Sequence, residues 1–225
     1  MSYSCNSVAI SEEARARGIF VSFTFVELAG PAVESGLRDA ISRVTNATKA
    51  LASLEDLKDN QVVRAYRNFY WRLGIDPTKM RPSSEALARR ALRGDFPSVS
   101  PLVDVCNAAS LETLVPIGLY DLDLAKPPLL VKLSEGGERF FPIGGREQVL
   151  PRGYPIMIDS AGVVVHIYAH RDSALTSIRQ TTRRALVVGT GVPGVPSDLV
   201  DRAVLRTVEL ARLIGWGQKG PLCRA

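Results

Sequence analysis

The order of patterns along this chain predicts an α+β fold in one domain. Helical periodicity dominates the first half, period-two and turn patterns follow from about residue 120, and one helical stretch comes near the end. Helices and strands segregated in this way argue against the regular alternation of a doubly wound sheet. A chain of 225 residues can bury a substantial core. No repeat or low-complexity tract interrupts it, and although Lys126-Pro127-Pro128 offers an internal boundary, a single domain over 1–225 is expected.

The elements follow from local rules. Ile19 to Val26 alternates and is rich in β-branched and aromatic residues, which makes a strand. Helices are expected from about Ala32 to Ala52 and from about Leu54 to Leu73. The second places Val62, Val63, Tyr66, Phe69 and Tyr70 on one side, and Arg64, Asn68 and Trp71 opposite. Packing under a neighbouring element outweighs base stacking as the expected fate of Trp71. Asp76-Pro77 and Ser100-Pro101 read as helix starts, a capping side chain before proline. Pro82 opens a helix to about Arg93, and the helix from Pro101 runs to about Leu114. Leu129 to Leu133 and Arg139 to Ile143 flank Ser134 to Glu138 as a hairpin. Strands are expected at Tyr154–Ile158, Val163–Ala169 and Ala185–Val188, and a closing helix at Asp198–Leu213.

Composition bounds the function classes. An apolar fraction of 46% with 23% charged residues is that of an ordinary globular protein. No apolar run is long enough to span a bilayer, the first residues lack signal-peptide character, and a cytoplasmic location is expected. Cys5, Cys106 and Cys223 are too few and too scattered for a metal knuckle or a disulfide framework, and Cys106 sits in an apolar stripe as a packing residue. The net charge of +5 is local: residues 61–100 hold eight basic and three acidic groups. That excess is either a solvated helix face or a surface for a polyanion such as RNA.

Three sets of residues carry the resemblance to a known family: Arg81-Pro-Ser-Ser-Glu85, Pro101-Leu-Val-Asp-Val-Cys-Asn107 and Pro116-Ile-Gly-Leu-Tyr-Asp-Leu-Asp123. Together they resemble the free-standing form of the B3/B4 editing domain of the phenylalanyl-tRNA synthetase beta subunit, over about Gln61 to Gly194. The resemblance implies a three-layer B3/B4-type domain with a β-sandwich-like core and packed helices. The family-matching core would be 61–194, preceded by an N-terminal strand and helices (1–60) and followed by the helix at 197–214. It also implies a pocket for the aminoacyl end of a mischarged tRNA, with Asn107 on the asparagine of the family's Val-Asp-Val-x-Asn motif. Gly118 stands where the synthetase subunits carry histidine. Val188 falls where they carry the acidic residue that reads a tyrosine hydroxyl.

The candidate site residues are then Asn107 and His170 for catalysis, with Arg81, Glu85, Gly118, Tyr120, Arg171 and Val188 bordering the substrate. Arg64, Arg67, Arg72, Arg89, Arg90 and Arg93 would meet the RNA backbone, on charge alone. On spacing alone Asn107 either ties neighbouring backbone or points into a cleft, and Tyr120, Asp121 and Asp123 either shape a rim or form a turn. His170 and Arg171 lead into a polar loop, Ser173 to Thr182, which matches the family's pocket-closing loop; a plain surface-loop role competes for each. His166 and His170 on one strand would stand roughly 13 Å apart and could not chelate one ion. No metal and no cofactor is expected.

Gly189-Thr-Gly191-Val-Pro-Gly194 fits a dinucleotide fingerprint only superficially, because Pro193 and Pro196 stop a helix from opening there. Ser83, Ser84 and Ser110 lack the strand-to-helix elbow of a serine hydrolase. The leading expectation is hydrolysis of misacylated aminoacyl-tRNA in trans. An RNA-binding module and an amino-acid-binding protein are the alternatives.

Overall fold

Two sheets stacked face to face carry the core in a computed structural model of the chain, which describes residues 3–30, 36–51 and 53–225. The central strands are β2 (Phe20–Leu28) and β10 (Arg184–Gly191), paired antiparallel from Arg184–Glu27 to Gly191–Phe20. Between Ala185 and Val188, β10 alternates in a way that explains the layers. Leu186 and Val188 join Val21, Phe23 and Phe25 in the space between the sheets, whereas Ala185 and Val187 face the helices. Period-two alternation of apolar residues with both faces covered is what a middle layer requires.

The first sheet has the order β11-β2-β10-β3, with β3 at Ile117–Asp121 and β11 at Trp216–Arg224. The second has the order β1-β4-β7-β8-β9, formed by Val8–Ile10, Leu129–Leu133, Pro155–Ile158, Val164–Ile167 and Arg171–Asp172. Helices α2 (Leu37–Leu51), α5 (Pro101–Thr113) and α6 (Ser197–Arg212) supply residues to the cluster that covers the outer face of the first sheet. The architecture is therefore the expected α+β one, three layers with a sandwich core. α1 (Glu12–Ala16) precedes β2, and the small hairpin of β5 (Arg139–Phe140) and β6 (Gln148–Val149) stands apart.

Helix α3 (Gln61–Arg72) packs Ala65, Tyr66, Phe69 and Tyr70 into the inter-sheet core. Two of these aromatics also satisfy backbone at strand ends: the Tyr66 hydroxyl donates to the Thr190 carbonyl at 2.5 Å, and Tyr70 to Tyr168 at 2.6 Å. Helix α4 (Ser83–Leu92) packs Leu87, Ala88 and Ala91 against Leu111 of α5 and Val63 of α3. This packing seats α4 beside the ends of β3 and β8.

Several local expectations are corrected. The helix expected from Leu54 is broken, because the Asn60 side chain accepts from the Val62 and Val63 amides and starts α3 afresh after a 3-10 turn at Asp56–Asp59. Asp76 uses its carbonyl and carboxylate to fold a turn rather than a helix. Leu129–Leu133 pairs with β1 and β7, not with the strand at Arg139, since the loop between them folds around Glu138 instead. The beginning and end of the expected helix Ala32–Ala52 lie outside the described residues. Strands β1 and β11 were not foreseen. Cys5 and Cys223, too few and scattered in sequence to suggest a disulfide framework, form one disulfide across 218 positions, because β11 carries Cys223 back beside the first described residues. Trp71 is uncovered, 56% exposed, so the packing expected for it does not occur.

Candidate functional site

A cleft of about 280 Å³ opens between the helical layer and the turn that joins β8 to β9. Ser83 and Leu87 of α4 and Asn107 and Ser110 of α5 form one wall; His166, His170, Arg171 and Asp172 form the other. The two histidines do not share a strand as expected. β8 ends at Ile167, and Ala169 turns the chain with φ of +60°. His166 holds that turn: the Ala169 amide donates to its Nε2 at 2.9 Å. That bond leaves the ring proton on Nδ1, which donates to Asp172 Oδ1 at 2.7 Å. His166 is buried and directly opposite Asp172 in the ladder, so both of its nitrogens are committed.

His170 is held differently. Its Nδ1 lies 2.8 Å from the Arg81 carbonyl, which fixes the proton there and leaves Nε2 as an acceptor. Burial, reinforced by the positive charge of neighbouring Arg171, lowers its pKa below the ordinary value, while the bond to Arg81 opposes the shift. A neutral imidazole with an unused Nε2 at a cleft wall can accept a proton from water or an alcohol. Across the cleft, the half-buried amide of Asn107 makes no hydrogen bond among the described residues. Of the two readings left open by spacing, the cleft-facing one fits this position. Such an amide offers an N–H to an oxyanion.

The structure separates the other candidates by depth. Arg171 lines the cleft and is exposed. Arg81 orients His170 through its carbonyl, and its guanidinium turns to Glu85, which is fully buried. Gly118 and Tyr120 lie beneath the cleft. A Cβ built on Gly118 would stand 2.1 Å from the Tyr120 hydroxyl and 3.2 Å from Asp172 Oδ1. The tyrosine thus fills the space that a side chain at 118 would enter. The Tyr120 hydroxyl is buried beside Asp172 without a well-directed hydrogen bond, and burial together with that carboxylate pushes its pKa well up. Val188 is wholly buried between the sheets and does not line the cleft.

The arginines also divide. Arg67 and Arg89 are bound to Glu85, and Arg90 to Asp95, which the guanidinium holds below the usual carboxylate range. Arg64, Asn68 and Arg72 line a groove with Pro193 and Gly194, and Arg93 is exposed with no ion pair among the described residues. Asp121 and Asp123 build a turn: Asp121 Oδ1 accepts from the Asp123 amide, and Asp123 pairs with Arg184. Gly189 and Gly191 have packing reasons, since a Cβ would meet Val200 and Val204 at 2.9 Å or the Phe20 ring at 2.2 Å.

Cys106 is a buried thiol whose pKa is raised by its burial, and it packs in the helical layer. A wider groove of about 590 Å³ between α5 and α6 brings together Glu112 and Arg206, which pair with each other. Among the described residues no group of three or more His, Cys, Asp or Glu could hold a metal ion, and no helix is long and apolar enough to cross a membrane.

Sequence reasoning missed Asp172 and gave His166 no role. The only available signal was a strand, a short turn and His-Arg-Asp, and it becomes a constellation only when β9 folds back on β8.

Fold and cleft together define an α+β sandwich domain with a polar pocket at the edge between helices and strands. The B3/4 domain model matches residues 65–205, and the chain belongs to that family. It is 32% identical over 114 residues to the phenylalanine-tRNA ligase beta subunit of Xanthomonas euvesicatoria pv. vesicatoria, covering 51% of this chain and 14% of that one. With the corresponding subunit of Xanthomonas oryzae pv. oryzae the identity is 28% over 175 residues, covering 68% and 22%. An N-terminal fragment of the phenylalanyl-tRNA synthetase beta subunit from Pyrococcus horikoshii has a similar fold, with a TM-score of 0.52 at 18% identity, over 97% of this chain and 51% of that one. The chain thus spans about a fifth or less of the length of these curated relatives.

Proposed function

We propose that this protein hydrolyses the ester of a misacylated aminoacyl-tRNA in trans, with tRNA as its partner and no cofactor or metal. The observation that carries the reading is the pairing, in one small cleft, of the Asn107 amide with a His170 of lowered pKa, where neither the amide nor the His170 Nε2 has a hydrogen-bond partner among the described residues. In the reaction a water oxygen attacks the ester carbonyl carbon as His170 Nε2 takes its proton. The Asn107 N–H donates to the developing oxyanion. The bond to the ribose oxygen then breaks, that oxygen takes the proton back from His170, and a free amino acid and uncharged tRNA leave.

His166 and Asp172 act by position. Their hydrogen bond and the bond to the Ala169 amide fix the turn that presents His170. A volume of about 280 Å³ suits one aminoacyl group rather than a larger ligand. Burial of Val188 in the core removes support for reading a tyrosine hydroxyl at that position. The test is deacylation across a panel of mischarged tRNAs with the intact chain and with Asn107→Ala. Hydrolysis of at least one ester that Asn107→Ala loses supports the reading, and no hydrolysis of any refutes it. Salt-dependent tRNA binding without turnover would leave an RNA-binding module instead. A tRNA partner is the ground for proposing a cytoplasmic location, and the Cys5–Cys223 disulfide, a bond uncommon in that compartment, weighs against it.

A further inference from the structure

Glu85 is fully buried at the start of α4 and holds three guanidiniums: Arg67 Nε at 3.2 Å, Arg81 Nε at 3.4 Å and Arg89 Nε at 3.0 Å. One carboxylate against three cations leaves a local excess of two positive charges. Each arginine approaches Glu85 through its Nε, and no hydrogen bond from their Nη atoms is found among the described residues. The side chains remain 22%, 37% and 23% exposed, so these forks reach solvent. The Nε atoms of Arg67 and Arg81 and Oε2 of Glu85 are buried without a well-directed hydrogen bond. Charge, rather than a closed hydrogen-bond network, therefore holds the group together. Arg90 provides the contrast, because it forms a one-to-one pair with Asp95 and carries no excess.

We propose that this cluster, joined to the cleft wall through the Arg81 carbonyl, is a preorganised phosphate-binding site, which takes phosphodiesters of the single-stranded acceptor end of the aminoacyl-tRNA. The inference rests on the tRNA reading above and names the interaction that seats the substrate. Three guanidiniums gathered in advance lose little freedom on meeting a phosphate, and their planar forks match its oxygens. The position also suits the chemistry. Arg81 is joined to His170 through its carbonyl, Ser83 two residues on lines the cleft, and the α4 N-terminus between them has no side-chain cap. The Ser83 amide is taken by the Ala169 carbonyl, and the rest of this helix start adds partial positive charge to the same place. A chain end held on the arginines would thus lie next to the wall that carries His170.

The experiment measures binding of the RNA trinucleotide CCA to the full chain against salt concentration, for wild type and Arg81→Gln/Arg89→Gln. The expected result is a fall in affinity of tenfold or more and a log-log salt slope shallower by about 1.4, because each single-strand phosphate that goes unneutralised takes about 0.7 from the slope. A purely structural cluster lowers the melting temperature and leaves that slope unchanged, which overturns the proposal. If the double variant does not fold, Arg89→Gln alone should reduce the slope by about 0.7, and an unchanged slope again overturns it. Inorganic phosphate that binds in an Arg81- and Arg89-dependent way while the trinucleotide does not would assign the site to free phosphate and overturn the RNA role. Deacylation by wild type with an unaltered slope in the variant sinks this site but leaves the hydrolase reading standing. Neither RNA binding nor deacylation in wild type removes both.

Discussion

Gly118→Ala tests the packing beneath the cleft most directly. The new methyl would lie 2.1 Å from the Tyr120 hydroxyl oxygen and 2.7 Å from its Cζ, both well inside van der Waals contact. Tyr120 is fully buried in the inter-sheet core and its strand is paired to β10 from Ile117 to Asp121, so the ring has little room to yield. Overpacking of this kind costs about 1–3 kcal/mol. For a chain of this size each kcal/mol lowers Tm by about 2–4 °C, which predicts a drop of about 2–12 °C in a thermal melt. Tyr120→Phe should be close to neutral by itself, because the hydroxyl it removes has no well-directed partner. Combined, the two substitutions should be less harmful than Gly118→Ala alone, since the 2.1 Å clash disappears and only the 2.7 Å one remains. A double-mutant cycle measures this coupling, expected at about 0.5 kcal/mol or more. A Gly118→Ala protein as stable as wild type, or strictly additive effects, would refute the argument that Tyr120 excludes a side chain at 118.

Asn107→Ala should lower kcat for deacylation by about 10²–10³-fold, the effect of losing one oxyanion donor, with KM little changed. Its melting temperature should stay near wild type, because the amide has no partner among the described residues to lose. His170 titrates below its ordinary value, so the acid limb of kcat/KM should have its midpoint below about pH 6.5, and a midpoint at or above that value removes His170 as the base. The same shift has a stability sign: the unfolded chain binds the proton first, so this contribution is complete above about pH 6.5 and is lost as pH falls through the lower folded-state pKa. Reduction of Cys5–Cys223, or Cys223→Ser, frees a loop of 218 positions. Chain-entropy reasoning puts the loss at up to about 5 kcal/mol, read as a fall in denaturation midpoint that dithiothreitol causes in wild type and not in the variant.

Much of the fold was legible because it is written in local periodicity. The alternation of Ile19–Val26 becomes β2, the stripe of Tyr66, Phe69 and Tyr70 becomes the buried side of α3, and Asp198–Leu213 is realised as α6. Asn107, His170 and Arg171 were named from the sequence, and the fold brings them to one cleft. Glu85 and Arg81 were placed beside the pocket, but their geometry was not: nothing in the spacing says that Glu85 gathers Arg67 from another helix.

The segment from Arg81 to Asp123, read alone, determined the family and half of the cleft wall, because helix caps, stripes and motif residues are short-range information. Tertiary structure decided the rest. It closed Cys5 onto Cys223, left Trp71 in solvent, sank Val188 into the core and set Asp172 opposite His166. Each of these depends on which distant strands pair and in what register, and pairing is settled by burial of whole sheet faces rather than by any window of neighbouring residues.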